Sequence, residues 1–167
     1  WVTWPGSVSD RYGRRRVRMW RDDGIGVQGE MLRRGLAMVE TQRESREDVA
    51  GMLALESTAR AACRGLWAIT LYQVQPADSV RSGGWRIVEG QVIQVAKRYG
   101  VVYLNFGADW RSDFTIRLGG DVLRDYAGAH LDPLSLQGHR LRVRGWVEWR
   151  NGPEMESDHL EQLEFLD

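Results

Sequence analysis

The chain has 167 residues, which is enough for one medium-sized domain or two small ones. Its apolar fraction of 43% is that of a globular protein and excludes a disordered one. The formal net charge is zero, but residues 1–70 carry 12 Arg and 9 acids, whereas residues 71–167 carry 11 Lys and Arg and 14 acids. An anionic partner is therefore favoured for the first part. The single cysteine excludes an internal disulfide, and no apolar run has the length of a membrane span.

The segment DRYGRRRVRMW, residues 10–20, joins a turn to a basic strand. Apolar and arginine positions alternate in it, with Val17 and Met19 on one side and Arg14, Arg16 and Arg18 on the other. This period of two predicts a strand. Arg14 lies where that strand begins, and an arginine held there offers a planar pair of donors to a phosphate. A solvated strand face is the alternative that the pattern leaves open.

Two helices and one more strand are predicted in the remainder of this part. Turn residues at 22–24 precede a helix over residues 27–34, which a glycine ends, and a short strand follows over residues 36–39. A second helix is predicted over residues 46–64, with Gly65 after its end. Its apolar stripe includes Cys63, which we therefore expect in the core rather than as a nucleophile.

Four motifs occur in order along this part of the chain: D-x-Y-G-R at residues 10–14, G-L-A-x-V at 35–39, E-x-x-A-R at 56–60 and L-W at 66–67. As a set they resemble the staphylococcal nuclease (thermonuclease) family. The resemblance implies an OB-type five-stranded barrel with three helices. It also implies calcium-dependent cleavage of DNA and RNA phosphodiesters.

The same resemblance implies roles for individual residues. Arg14 matches the catalytic arginine that contacts the scissile phosphate, Tyr12 matches a tyrosine lining the nucleotide pocket, and Arg11 matches a basic residue on its rim. Arg16 is a further candidate for nucleic-acid binding, because it shares a strand side with Arg14. Phosphoryl transfer depends mostly on positioning and charge stabilisation, and an arginine aimed at the transition state contributes roughly 10³–10⁵ in rate.

The sequence also departs from the family. The family's metal-binding aspartates, a second arginine and the general-base glutamate all belong before the segment at which this sequence begins. No metal ligand is therefore predicted here, calcium rests on the resemblance alone, and this stretch by itself is not a competent nuclease. We expect upstream strands or a partner chain to complete the first barrel. The family's usual export favours a periplasmic or secreted location.

Residues 68–84 are predicted to be a linker between a first domain at 1–67 and a second at 85–167. The second part contains a strand at 87–96 whose alternation slips at Val92-Ile93, tight turns at Tyr99-Gly100 and Asn151-Gly152, and a helix at 121–129. Three strands, a helix and two strands is the order of an OB fold. The whole chain is thus predicted to be a β-rich α+β protein with two OB-like barrels, the first incomplete.

The second part resembles the C-terminal extension of proteobacterial thermonuclease-like proteins, through YLNFGADWRSDFT and GWVEWRNGP. On its clearest strand, residues 140–150, Arg142, Arg144 and Trp146 are predicted to share one face, while Trp149 faces the core. Arginines interleaved with an aromatic ring are typical of single-stranded nucleic-acid binding. Pairing of these arginines with neighbouring acids, in an ordinary solvated sheet, is the alternative.

Two functions remain open from the sequence. One is a nuclease-type phosphodiester hydrolase acting on DNA or RNA. The other is a non-catalytic nucleic-acid-binding or scaffold subunit on a degenerate nuclease fold, as part of a larger assembly.

Overall fold

A computed structural model describes residues 1–3, 13–15 and 17–167. The chain forms two compact units, Trp1–Gln73 and Val74–Asp167. Their boundary lies inside the predicted linker, and residues 74–84 are part of the second unit, because Ala77 and Val80 are buried in its core. Among the described residues, no helix has both the length and the apolar character needed to cross a membrane.

The first unit contains two short strands and two helices among its described residues. Strands β1 (Val2–Thr3) and β2 (Arg18–Met19) pair antiparallel, and helices α1 (Val27–Arg33) and α2 (Val49–Ala61) follow. The helices confirm the two that were predicted, although α2 is shorter at both ends. The predicted strand at 36–39 is wrong, because in the described part of the chain Leu36 lies in a bend and residues 37–39 have no regular secondary structure.

The two helices end in the same way. Gly35 has φ +70°, and the N–H groups of Gly35 and Leu36 donate to the carbonyls of Leu32 and Met31, each at 2.9 Å. This is a Schellman motif, which satisfies the last helical carbonyls. At the end of α2 the left-handed residue is Cys63, with φ +49°. The prediction that Gly65 ends this helix and that Cys63 is core is therefore wrong: Cys63 is an exposed cap.

The segments that follow the two helices meet at a pair of glycines. The N–H of Leu66 donates to the carbonyl of Gly35 at 2.8 Å. A Cβ on Gly35 would lie 2.2 Å from the carbonyl oxygen of Arg64, and one on Gly65 would lie 2.4 Å from the carbonyl oxygen of Gly35. Both glycines also have positive φ, so this close backbone contact requires glycine at both positions.

A buried carboxylate links α2 to the segment after α1. Glu56 is fully buried, and its carboxylate accepts a hydrogen bond from the backbone N–H of Val39 at 2.6 Å and from the Arg60 guanidinium at 3.0 Å. The same guanidinium lies 5.4 Å from the ring centroid of Trp67, which is buried. Three of the four motifs, G-L-A-x-V, E-x-x-A-R and L-W, are therefore joined in one structural cluster.

The second unit is a curled sheet with one helix. Its strands are β3 (Gln75–Pro76), β4 (Gly84–Gln91), β5 (Gln94–Arg98), β6 (Val101–Asn105), β7 (Thr115–Leu118), β8 (Arg140–Trp149), β9 (Pro153–Ser157) and β10 (Leu163–Phe165). Helix α3 (Gly120–Gly128) follows β7 and confirms the helix predicted at 121–129. The sheet order is β3-β4-β8-β9-β7-β6-β5, and β10 pairs with β8.

The sheet closes because β4 and β5 are two halves of one bent strand. At the bend, the N–H of Val92 donates to the carbonyl of His139, on the side of β8, whereas the N–H of Ile93 donates to the carbonyl of Asn105, on β6. The strand thus changes its neighbour where the sequence alternation slips, as predicted. The path from β4 through β8, β9, β7 and β6 returns to β5, and β7 and β9 are parallel, which gives an OB-like barrel.

The barrel interior is the main core of this unit. Alternate residues of each strand point into it, and α3 adds Val122 and Tyr126. The opposite residues of β5, β6 and β7 form an outer face, which carries the cleft described below.

Candidate nucleic-acid sites

In the first unit, helix α1 holds the strand that follows Arg14. The Gln28 amide donates to the carbonyl of Val17 at 2.8 Å and accepts from the N–H of Met19 at 3.2 Å. Arg18 donates to the Asp48 carboxylate at 2.9 Å and to the carbonyl of Glu47 at 3.1 Å, so it ties β2 to the start of α2. Arg14 is exposed, four residues before this anchored strand.

The other predicted contact residues of this unit, Arg11, Tyr12 and Arg16, lie outside the described residues. Within residues 1–3, 13–15 and 17–167, no group of three or more His, Cys, Asp or Glu side chains could hold a metal ion. These residues by themselves therefore do not fit the calcium that the resemblance implies.

In the second unit, the predicted arginines of β8 are paired with acids. Glu89 of β4 and Glu164 of β10 both lie opposite Arg142 in the register, and Arg142 donates to Glu89 at 2.8 Å. Arg144 has 1% of its surface exposed and donates to Glu164 at 2.5 Å. The carboxylates of Glu89 and Glu164 thus occupy arginine N–H donors that a bound phosphate would need. The arrangement is the paired one that the sequence left as the alternative.

The aromatic residues of β8 do not continue the predicted alternation. Trp146 is 57% exposed, as expected for the outer face, but Trp149 is exposed as well instead of facing the core. The alternation itself continues through Gly145 and Val147, which are buried like Leu141 and Val143, and only Trp149, the last residue of the strand, departs from it. A Cβ at Gly145 would lie 3.0 Å from the Met155 sulfur, so the chain packs tightly there.

A cleft of about 630 Å³ lies on the outer face of β5, β6 and β7. The outward side chains of the three strands stand in two rows in register: Ala96, Tyr103 and Arg117 in one, and Gln94, Asn105 and Thr115 in the other. Asn105 and Thr115 form a buried polar part of its wall, and the Thr115 hydroxyl donates to the Asn105 amide oxygen at 3.1 Å.

Three loops surround the cleft. The β5–β6 turn contributes Tyr99, the loop between β6 and β7 contributes Trp110, and the β8–β9 turn contributes Arg150 and Asn151. This site was not predicted from the sequence, because the prediction for the second unit rested on arginines interleaved with an aromatic ring on one strand. The sequence feature that marks this cleft is a single pair of outward side chains: an aromatic residue on β6, Tyr103, opposite an arginine on β7, Arg117.

The cleft is more basic than the unit that carries it. The second unit has 11 Lys and Arg against 14 acids, since residues 71–73 add no charge to the counts for 71–167. The charged residues lining the cleft are nevertheless Arg98, Arg117, Arg150 and Glu154. Burial raises the pKa of Glu154, and the charges of Arg150 and Arg117 oppose that rise. The site is therefore suited to an anion.

Comparison with known proteins agrees with the first unit's motifs. Together the units define a β-rich α+β protein with OB-like architecture. Residues 2–69 match the family model described as staphylococcal nuclease homologue, and the match includes Arg14. This part of the chain is therefore similar to staphylococcal nuclease homologues. A search of curated proteins gave no match.

Proposed function

We propose that the protein is a nuclease-type phosphodiester hydrolase acting on DNA or RNA, and that Arg14 binds the scissile phosphate. The observation that carries this proposal is the family match over residues 2–69, a range that contains the exposed Arg14. The catalytic role of Arg14 is what the resemblance of its D-x-Y-G-R motif to the family implies. Arg11, Tyr12 and Arg16 are proposed to contact the same nucleic acid.

The surroundings of Arg14 support this role. Arg14 is exposed, and Arg18, on the strand that follows it, is bound to Asp48 and Glu47 at the start of α2. The Gln28 hydrogen bonds to Val17 and Met19 fix the backbone that follows Arg14. A guanidinium presented from a fixed backbone stabilises the charge of a phosphoryl transition state without reorganisation.

The proposed role of Arg14 is limited to binding the phosphate and stabilising its negative charge. It orients one phosphate through two N–H donors and offsets the negative charge that develops on the phosphate oxygens. Activation of the attacking water needs carboxylates, which the family resemblance places outside the described residues. Calcium is the metal that this resemblance implies, and strands from outside these residues, or from a partner chain, would complete the barrel.

The test is digestion of plasmid DNA and of a labelled oligonucleotide by the intact protein, with calcium and with chelator. We expect Arg14→Ala to lower the cleavage rate by about 10³- to 10⁵-fold. Arg14→Lys should recover only part of the rate, because lysine lacks the bidentate geometry. Arg15→Ala is the matched control, since it removes an adjacent exposed arginine with the same charge.

Two results would overturn the proposal: undiminished cleavage by Arg14→Ala, or cleavage that chelator does not affect. Nucleic-acid binding without any cleavage in calcium would favour the alternative, a binding or scaffold subunit on a degenerate nuclease fold.

A further inference from the structure

We propose that the cleft on β5, β6 and β7 is a second nucleic-acid site, which binds a single strand. Tyr99 and Trp110 stack on bases, and Arg98, Arg117 and Arg150 contact phosphates. This inference goes beyond the proposed function, because it concerns the second unit and requires no cleavage.

The turn that carries Tyr99 is unusual for this residue. Tyr99 and Gly100 form a two-residue turn between the paired residues Arg98 and Val101, and both have positive φ, +49° and +78°. Such a turn favours Asn, Asp or Gly at the first position, and a bulky residue there is strained. The Tyr99 ring is also fully exposed, so packing does not offset that strain. Exposure and strain together indicate that the ring is kept for an external contact.

The second ring is presented by an ordered loop. The Asp113 carboxylate accepts from the N–H of Asp109 at 2.8 Å, and Asp109 in turn accepts from the N–H of Arg111 at 3.1 Å. The Arg111 guanidinium lies 4.4 Å from the ring centroid of Trp110. Trp110 still has 49% of its surface exposed and lines the cleft. A large ring that is held in place while exposed loses little entropy when a base stacks on it.

The arginines of the cleft retain donors for phosphate. Arg117 pairs with Glu156 through one nitrogen at 2.5 Å, and Arg150 pairs with Glu148 at 2.9 Å. Neither of these glutamates lines the cleft. Arg98 donates to its neighbouring carbonyl, that of Lys97, at 3.1 Å. A guanidinium has five N–H donors, so each of the three arginines keeps others for a phosphate.

A single strand fits this combination better than a duplex. Exposed aromatic rings gain energy by stacking only when the bases are unstacked, and single strands present such bases. OB folds bind oligonucleotides through this same strand face and through the loops at its ends.

The experiment measures binding by fluorescence anisotropy, with the full chain and fluorescein-labelled dT15 and U15 in chelator, where the proposed cleavage does not occur. A 15-base-pair duplex is the third probe. We expect tighter binding of a single strand than of the duplex. Three phosphate contacts predict that log K falls with log salt with a slope of about −2.

Variants distinguish binding at this cleft from binding at other surfaces of the protein. Tyr99→Asn and Trp110→Ala should each weaken binding about 5- to 150-fold, the range for loss of one stacked base. Asn suits the turn, so Tyr99→Asn retains the fold, which thermal unfolding verifies. Trp146→Ala is the matched control, since it removes an exposed Trp of the same unit that does not line the cleft. Arg14→Ala shows how much of the binding belongs to the first unit.

The proposal is overturned if the chain binds neither single strand at low salt, or if Tyr99→Asn and Trp110→Ala bind as wild type. It is also overturned if only Trp146→Ala or Arg14→Ala weakens binding. A preference for dT15 or for U15 would support it equally, and would identify the sugar that the site accepts. Since no arm of this experiment requires cleavage, its result is independent of the nuclease proposal.

Discussion

The Glu56 carboxylate accepts a hydrogen bond from the backbone N–H of Val39 at 2.6 Å, across 17 residues of sequence. It satisfies a backbone donor in a segment that has no regular secondary structure, and it does so from a fully buried position. Arg60 neutralises the carboxylate. The first unit therefore depends on one buried ionic group to join α2 to the segment after α1.

We expect Glu56→Ala to lower the free energy of unfolding of this unit by about 3–5 kcal/mol, because it leaves Arg60 and a backbone N–H without this partner. Glu56→Gln keeps an acceptor for Val39 and should cost less. Glu40→Gln, at an exposed position in the same segment, should change stability by under about 0.5 kcal/mol. Urea unfolding of the three variants is the measurement, and equal midpoints would contradict the role given to Glu56.

The pair Gly35 and Gly65 gives a second prediction. Alanine at either position should severely destabilise the first unit, because its Cβ would overlap a carbonyl oxygen at 2.2 or 2.4 Å and because φ is positive. Gly51→Ala is the contrast: Gly51 lies within α2 with open space around it. That change should stabilise by about 0.5–1 kcal/mol, since alanine is the better helix former. The measurement is the thermal unfolding midpoint of the three variants. Similar midpoints for all three would contradict the close backbone contact at Gly35 and Gly65.

The acid pairs of β8 give a third prediction. Glu164→Ala should destabilise the second unit by about 3–5 kcal/mol, because it removes a carboxylate that pairs with the buried Arg144. Glu148→Ala removes the partner of Arg150 in an exposed pair and should cost about 0–1 kcal/mol. Urea midpoints of the two variants are compared. If Glu164→Ala were as mild as Glu148→Ala, the pairing with Arg144 would not stabilise the barrel.

Glu154 gives a pH-dependent prediction. Because burial raises its pKa in the folded protein above the ordinary value of 4.5, the folded state binds more protons than the unfolded state between these two pKa values. Its contribution to stability is therefore lost as pH rises through that window. Glu154→Gln should flatten this part of the pH profile and, by removing a negative charge from the cleft, strengthen single-strand binding at pH 7. Unfolding and anisotropy measured between pH 4 and 8 check both effects, and an unchanged profile would contradict the first.

Much of the fold was predictable because its signals are local. The two-residue turns at Tyr99-Gly100 and Asn151-Gly152, the slip at Val92-Ile93 and the helices at 27–33 and 120–128 each follow from a short stretch of sequence. The strand predicted at 36–39 was wrong, and the backbone N–H of Val39 donates instead to a side chain, that of Glu56. No short-range pattern reveals such a partner.

The sites were harder to predict than the fold. The paired state of Arg142 and Arg144 depends on Glu89 and Glu164, which are distant in sequence and meet them only through the register of β4, β8 and β10. The cleft depends on register in the same way, because Tyr103 and Arg117 are neighbours only across β6 and β7. Arg14 was identified through its motif, and its role in the reaction stays a prediction.

In the proposed nuclease, Arg14 binds the phosphate that is cleaved. This role is tested by the single-turnover cleavage rate of a labelled oligonucleotide by the intact protein in calcium, for wild type, Arg14→Ala and Arg15→Ala. We expect a loss of about 10³- to 10⁵-fold for Arg14→Ala and a rate near that of wild type for Arg15→Ala. Equal rates for all three proteins would contradict it.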